Sequence, residues 1–301
     1  DNFLGTLGGP GITVPVVGAA FEVGIELAAG GVEVNLVVDA SSEFRTTSNV
    51  IANSPAGRDD RVVVVGAHLD SVAEGPGIQD NGSGSAAILE IAIQMANQQI
   101  SPRNQVRFAW WGAEEAGLLG AQHYVDQLSP RDIKDIALNL NFDMIGSPNF
   151  VRFVYDGDGS DTPLAGPNGS KNIESVFLDY FAAMSLPVEP TAFDGRSDYG
   201  PFIEVGIPAG GLFTGAEGIK TPDEAALYGG TAGDQYDPCY HLACDTFDNI
   251  SLQALDEMSD AVAHSVMTFA MTTSAVNGTD KGKGLGKFKS DMEYRGSHLV
   301  K

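Results

Sequence analysis

One stretch constrains this chain more than any other. Val62-Val63-Val64-Val65 is an unbroken apolar run that leads straight into Gly66-Ala67-His68-Leu69-Asp70-Ser71. A short apolar run bounded by charged residues reads as a buried strand, and a strand apolar on both faces belongs inside a parallel sheet. The next segment, Gly77-Ile78-Gln79-Asp80-Asn81-Gly82-Ser83-Gly84, adds a second carboxylate and the glycines that a sharp turn needs. A helix is expected from about Ser85 to Met95. In open α/β sheets, ligands gather beyond the carboxyl ends of the strands. This stretch therefore reads as half of a two-metal site, with the other half supplied from elsewhere in the chain.

The remaining pattern alternates. Strands are expected at 32–38, 48–53, 105–111, 137–142, 150–155 and 209–213, and helices at 117–125, 172–184 and 252–271. Such alternation implies an α/β fold, a largely parallel sheet covered on both faces. The helix 85–95 is apolar nearly all round and is expected to be buried. The 301 residues give room for one large or two small domains.

Charge narrows the partners. Forty acidic residues against 17 basic ones leave −23. A phosphate backbone needs a basic face, so no nucleic-acid partner is expected. No apolar run reaches about 18 residues, so no membrane-spanning helix and no membrane partner are expected. The acidic, glycine-rich composition suits a secreted, extracellular protein. Cys239 and Cys244 are either two buried thiols or a local disulfide, and this composition favours the disulfide. It would close a short loop around Tyr240 and His241 and contribute roughly 2 kcal/mol. Residues 275–301 include Lys281, Lys283, Lys287 and Lys289 with no periodicity, and read as a disordered tail.

Further metal-type ligands follow other strands. Glu114-Glu115 closes Val106–Trp111, Asp143 closes Leu138–Phe142, and His241 lies in Cys239-Tyr240-His241. Singly, each has a plain explanation. A strand-end histidine is often just a loop residue, a Glu-Glu pair complements a helix dipole, and Asp-Asn-Gly makes a turn. Their coincidence on one rim points to metal. Two imidazoles and three carboxylates, one of them bridging, suit two zinc ions. Glu114 and Glu115 are adjacent, so Glu115 can ligate while Glu114 acts as general base on the attacking water. Asp70 is placed to accept the other ring N–H of His68 and fix its tautomer.

Together, His68-Leu69-Asp70-Ser71, Asp80-Asn81-Gly82-Ser83-Gly84, Trp110-Trp111-Gly112-Ala113-Glu114-Glu115, Asn141-Phe142-Asp143-Met144-Ile145-Gly146, Asp194-Gly195-Arg196-Ser197-Asp198, Gly210-Gly211-Leu212-Phe213-Thr214-Gly215-Ala216 and Cys239-Tyr240-His241 resemble the dinuclear-zinc aminopeptidase family, notably its secreted bacterial leucyl-type members. The resemblance covers about residues 45–272. It implies a three-layer sandwich with a mostly parallel, mixed central sheet. It also implies an enzyme, a monomer, that removes a large apolar N-terminal residue such as leucine from peptides with a free N-terminus.

Residue by residue, the resemblance implies His68 and Asp143 on one zinc, Glu115 and His241 on the other, and Asp80 on both. Glu114 is the implied base and Tyr240 the implied donor to the oxyanion. Glu114, Asp143 and Arg196 fall where the family binds the substrate α-amino group. Met144, Phe213 and Tyr240 fall where it seats the first side chain. A cis Asp80–Asn81 peptide and a Cys239–Cys244 disulfide are implied too. Asp256 and Asp260 match the helix part of a calcium site found in one member. A departure is Tyr199-Gly200-Pro201-Phe202, where that member has His-Ala-Pro-Phe.

The first 35 residues match no part of a minimal enzyme. Pro15-Val16-Val17-Gly18 and Gly24-Ile25-Glu26-Leu27 resemble the end of a protease-associated insert. The expected organisation is thus an insert remnant over 1–35, a catalytic domain over 36–274 and the tail. On the same architecture a carboxypeptidase would need a basic patch, and a glutaminyl cyclase would use one zinc. A non-catalytic relative would have lost ligands.

Overall fold

A computed structural model describes residue 14, residues 16–39 and residues 44–277. In chain order its elements are α1 (Phe21–Ala28), β1 (Val50–Asn53), β2 (Arg58–His68), α2 (Gly82–Asn97), β3 (Asn104–Trp111), α3 (Leu119–Asp126), α4 (Pro130–Asp135), β4 (Ile136–Phe142), β5 (Phe153–Tyr155), α5 (Ser170–Ala183), β6 (Glu189–Thr191), α6 (Tyr199–Glu204), β7 (Ala209–Phe213), α7 (Pro222–Tyr228), α8 (Leu252–Met271) and α9 (Ser274–Asn277). Among the described residues the strands form one seven-stranded sheet in the order β1-β3-β2-β4-β7-β5-β6. The pairs β3–β2, β2–β4, β4–β7 and β5–β6 run parallel, and β1–β3 and β5–β7 antiparallel. The sheet is mixed and mostly parallel, as expected.

Strand side chains alternate between two cores, as a period of two dictates. Val63, Val65, Val106, Phe108, Leu138 and Leu140 join one cluster with Ile88 and Ile91 of α2, Phe177 of α5 and Val262 and Phe269 of α8. Val62, Val64, Ala109, Trp111 and Ile136 join the other with Ala121 and Val125 of α3 and Phe202 of α6. Helices therefore cover both faces, and β2 is apolar on each side because each side is buried. Fully burying one such valine contributes about 1.5–3 kcal/mol.

The topology brings four strand ends to one edge. In register, His68 lies opposite Trp111, Gly66 opposite Asn141 and Phe142 opposite Leu212. The segments leaving β2, β3, β4 and β7 thus start level with one another.

Several expectations are corrected. Residues 32–38 form no strand, and their apolar side chains are exposed. Alternation is present there, but no described neighbour pairs with them, and an unpaired strand has nothing to satisfy its backbone. Upstream, α1 buries no residue. The α2 helix is buried on one face only. Leu89 and Ile93 are exposed, while Ala87, Ile88, Ile91 and Met95 face the core. The expected disordered tail begins inside regular structure, since α9 runs to Asn277 and buries Val276. Residues 278–301 lie outside the described residues, as do residues 1–13 and 15 of the expected insert remnant.

Two short helices not expected from periodicity carry readable start signals. Ser129 caps α4 and Thr221 caps α7, each in a reciprocal capping box with Pro at the first helical turn. No helix among the described residues is long and apolar enough to cross a membrane.

Candidate metal centre and substrate pocket

The turn after β2 builds the centre. The Asp80–Asn81 peptide is cis. The Asn81 side chain accepts the Gly84 N–H at 3.0 Å, capping α2, and the Met144 N–H at 3.2 Å. Its amide donates to the Phe142 carbonyl at 3.0 Å. One side chain thus ties the start of α2 to the end of β4, with Asp80 beside it on one segment and Asp143 on the other. Backbone approach is so close that a Cβ on Gly84 would collide with the Phe142 carbonyl. On the same helix, the Ser85 hydroxyl donates to the His68 carbonyl at 2.6 Å.

Asp80 lies between the two histidines. Its Oδ1 is 3.1 Å from His68 Nε2, and its Oδ2 is 3.1 Å from His241 Nε2. His68 Nε2 also sees Asp143 Oδ1 at 3.2 Å and Glu114 Oε2 at 3.9 Å. His241 Nε2 sees Glu115 Oε2 at 3.1 Å. All six side chains are buried. All five expected ligands and the expected base therefore come together in one place.

Other residues hold this set. Asp245 accepts the Gln79 and Asp80 N–H groups at 2.9 and 3.2 Å, fastening the Asp80 turn to the loop that carries His241. That loop contains the Cys239–Cys244 disulfide, as expected, and Tyr240 and His241 lie inside it. The Ser197 hydroxyl donates to Asp143 Oδ2 at 2.6 Å and accepts from Asn141 at 2.7 Å. The sequence alone did not single out Asp245 or Ser197. Each contacts its ligand across more than 50 positions, a separation no local pattern records.

Asp70 stands beside the His68 ring, as expected, and also holds the segment after β3. Its carboxylate accepts the backbone N–H of Glu114 at 3.0 Å and of Glu115 at 3.2 Å. His68 Nδ1 lies 3.1 Å from the Asp70 backbone carbonyl and 3.7 Å from its carboxylate. The carboxylate is thus the anchor of the segment after β3. Ala113, Met144 and His241 hold left-handed φ of 58°, 52° and 58°. Each costs of order 1 kcal/mol or more and is kept where surrounding contacts over-determine the backbone.

The electrostatics are those of a site built for positive charge. Burial pushes the Glu114 carboxyl well above its ordinary value, and the Asp143 and Asp198 carboxylates push it further, against His68. Burial would also raise Asp80, but His241 and His68 outweigh it and hold it low. Burial lowers His241, yet Asp80 and Glu115 bring it to about 9. Glu114 Oε1 is buried without a hydrogen bond. His68, Asp80 and Glu115 offer ligand atoms within 4.8 Å of one another. Imidazole nitrogens and carboxylate oxygens converging this closely fit a divalent cation that keeps an open position.

Beside the centre lies a pocket of about 470 Å³ including its mouth, lined by Asp80, Glu114, Met144, Arg196, Phe213 and Tyr240 among others. Met144, Ala216 and Tyr240 form a small apolar cluster, with Phe213 against it. Arg196 pairs with Glu217, Nη1 to Oε1 at 2.7 Å and Nη2 to Oε2 at 3.2 Å, and donates from Nη2 to the Tyr240 hydroxyl at 3.3 Å. Glu217 is another residue that sequence reasoning missed. Asp256 and Asp260 stand one turn apart on the exposed face of α8, and neither belongs to a group of converging ligand atoms found among the described residues.

Comparison with known proteins fits this geometry. Residues 49–266 match the model of peptidase family M28. An aminopeptidase of Pseudomonas aeruginosa is 52% identical over 265 residues, covering 88% of this chain and 49% of its own. Leucine aminopeptidase 2 of Trichophyton equinum is 50% identical over 274 residues, covering 89% of this chain and 55% of its own. This chain thus spans about half the length of the curated relatives it matches. A zinc aminopeptidase from Bacillus subtilis superposes with a TM-score of 0.61 at 27% identity, over 79% of this chain and 53% of that one. His68, Asp80, Glu115, Asp143 and His241 all fall within the matched residues, and the chain belongs to peptidase family M28.

Proposed function

We propose that this chain is the catalytic part of a zinc aminopeptidase that releases a large apolar N-terminal residue, such as leucine, from peptides. The observation that carries the reading is the position of Asp80, with one oxygen at His68 and the other at His241. One carboxylate facing two imidazoles from opposite oxygens suits two cations sharing a ligand. His68 and Asp143 would hold one zinc, Glu115 and His241 the other, with Asp80 on both. Zinc bound there supplies Lewis acidity and makes water easier to deprotonate.

The chain's own residues do the rest. Glu114 takes the proton from the attacking water and passes it to the departing amine, so the carboxylate is regenerated. The Tyr240 hydroxyl donates to the oxygen that gains charge as the carbonyl is attacked. Asp143 and Glu114 offer negative charge to the free α-ammonium group. Met144 and Phe213 line the space for the first side chain, and Arg196 borders it. The Arg196 guanidinium is engaged by Glu217, which disfavours capture of a C-terminal carboxylate and hence a carboxypeptidase. Keeping every ligand of a two-metal set disfavours a one-zinc cyclase or a non-catalytic relative.

The reading extends to organisation and location. Residues 1–35 are the end of an inserted domain and 36–274 the catalytic domain, supported by a family match that starts at 49 and by an α1 that buries nothing. Secretion is supported by the disulfide and by the net charge of −23. The test is hydrolysis of leucine p-nitroanilide with and without a chelator. Chelator-sensitive release of the aniline is expected. Release that ignores the chelator, or no release by zinc-loaded protein, would overturn the reading.

A further inference from the structure

At the wall of the pocket stands a charged pair that metal binding does not explain, Arg196, which lines the pocket, with Glu217. We propose that Glu217 is a positioning residue for the hydrolysis, clamping Arg196 so that the guanidinium orients the Tyr240 hydroxyl. The proposal rests on the aminopeptidase reading above.

The geometry begins with the strap after β7. Its backbone is fastened on both sides of Glu217. The Thr214 N–H donates to the Met144 carbonyl at 2.9 Å, the Asp237 N–H to the Ala216 carbonyl at 2.9 Å, and the Tyr236 N–H to the Gly218 carbonyl at 2.9 Å. Glu217 therefore starts from a fixed backbone, joined to the segment that leads into Tyr240.

Its carboxylate meets Arg196 as a two-oxygen, two-nitrogen fork at 2.7 and 3.2 Å. Both side chains are about three-quarters buried, at 23% exposure each. A fork of this kind fixes the plane of the guanidinium as well as its position. The second nitrogen of the fork then donates to the Tyr240 hydroxyl at 3.3 Å.

The direction of that last bond carries the consequence. A guanidinium has only donors, so the Tyr240 oxygen must be the acceptor there. A phenol has one proton, which therefore points away from Arg196. Tyr240 lines the pocket beside Asp80 and Glu114. A hydroxyl that accepts from a cation is also a stronger donor toward developing negative charge. Without Glu217 the fork that sets the guanidinium plane is gone, and the single 3.3 Å bond to Tyr240 is left to hold it.

The test uses Glu217→Gln, which keeps the size and removes the charge. On leucine p-nitroanilide, zinc-loaded Glu217→Gln is expected to lose about 10- to 100-fold in kcat, with KM changed by less than roughly threefold. In a Tyr240→Phe background the same substitution is expected to change kcat by less than about twofold, because the group it acts through is gone. A crystal structure of Glu217→Gln is expected to show Arg196 withdrawn from the Tyr240 hydroxyl. An unchanged kcat, losses that multiply in the double variant, or an Arg196 still seated on Tyr240 would each overturn the proposal. Inactive wild-type protein would instead count against the aminopeptidase reading, and the crystal structure would still decide whether Glu217 holds the clamp.

Discussion

Asp70 Oδ1 accepts the backbone N–H of Glu114 at 3.0 Å. The two residues follow different strands, and the bond fixes the segment that carries both adjacent glutamates relative to the segment that carries His68. With Oδ2 on the Glu115 N–H, the carboxylate uses both oxygens as acceptors. Asp70→Asn replaces one acceptor with an NH₂ group facing an N–H donor. It is expected to cost about 10- to 100-fold in zinc affinity or activity. Zinc titration and kcat/KM measured side by side check this.

Glu114 is buried, and Oε1 makes no hydrogen bond. If it moves protons rather than holds metal, Glu114→Gln should lower kcat by about 10²- to 10⁴-fold while zinc content stays unchanged. Elemental analysis of the same sample separates the two roles, since a fall in zinc content would make Glu114 a ligand.

The histidines predict a pH dependence that metal removes. In metal-free protein, burial lowers His241, but Asp80 and Glu115 raise it from 6.5 to about 9. A raised histidine contributes stability that is fully present below its unfolded pKa and is lost as pH rises through its folded pKa. Chelated protein should therefore lose stability between about pH 6.5 and 9. A zinc ligand must be neutral, so zinc-loaded protein should lack this loss. Unfolding midpoints across that range, with a fall of at least about 2–4 °C expected only in the chelated sample, check it.

Gly84 lies against the Phe142 carbonyl, with Asn81 Oδ1 2.5 Å from where its Cβ would be. Gly84→Ala forces α2 away from β4 and is expected to destabilise by about 1–3 kcal/mol. It should weaken zinc binding as well, because the same contact sets Asp80 against Asp143. Denaturant unfolding with and without zinc measures both effects.

The sequence made the sheet and the ligands legible because their signals are local. The valine run, the strand-end His68 and Asp143, and the Glu114-Glu115 pair each follow a strand by a fixed short count. What stayed hidden depends on long-range contact. Asp245 supports Asp80 from 165 positions away, and Glu217 meets Arg196 from 21. Asp70 was legible as a carboxylate beside His68, but its bonds to the Glu114 and Glu115 amides were not, because reaching them requires the turn after β3 to fold back. The 32–38 segment shows the reverse failure. Its alternation is a genuine strand pattern, yet a strand needs a neighbour, which no pattern within one segment reveals. The capping boxes at Ser129 and Thr221 were legible signals at the heads of helices too short for periodicity to register.

The central claim is that Asp80 serves two metal ions, one beside each histidine. Zinc content per chain, measured after dialysis in wild type, His241→Ala and Asp80→Ala, tests it most directly. The account predicts about two in wild type, about one in His241→Ala and close to none in Asp80→Ala. A wild type that holds a single zinc, or an Asp80→Ala variant that keeps two, would contradict it.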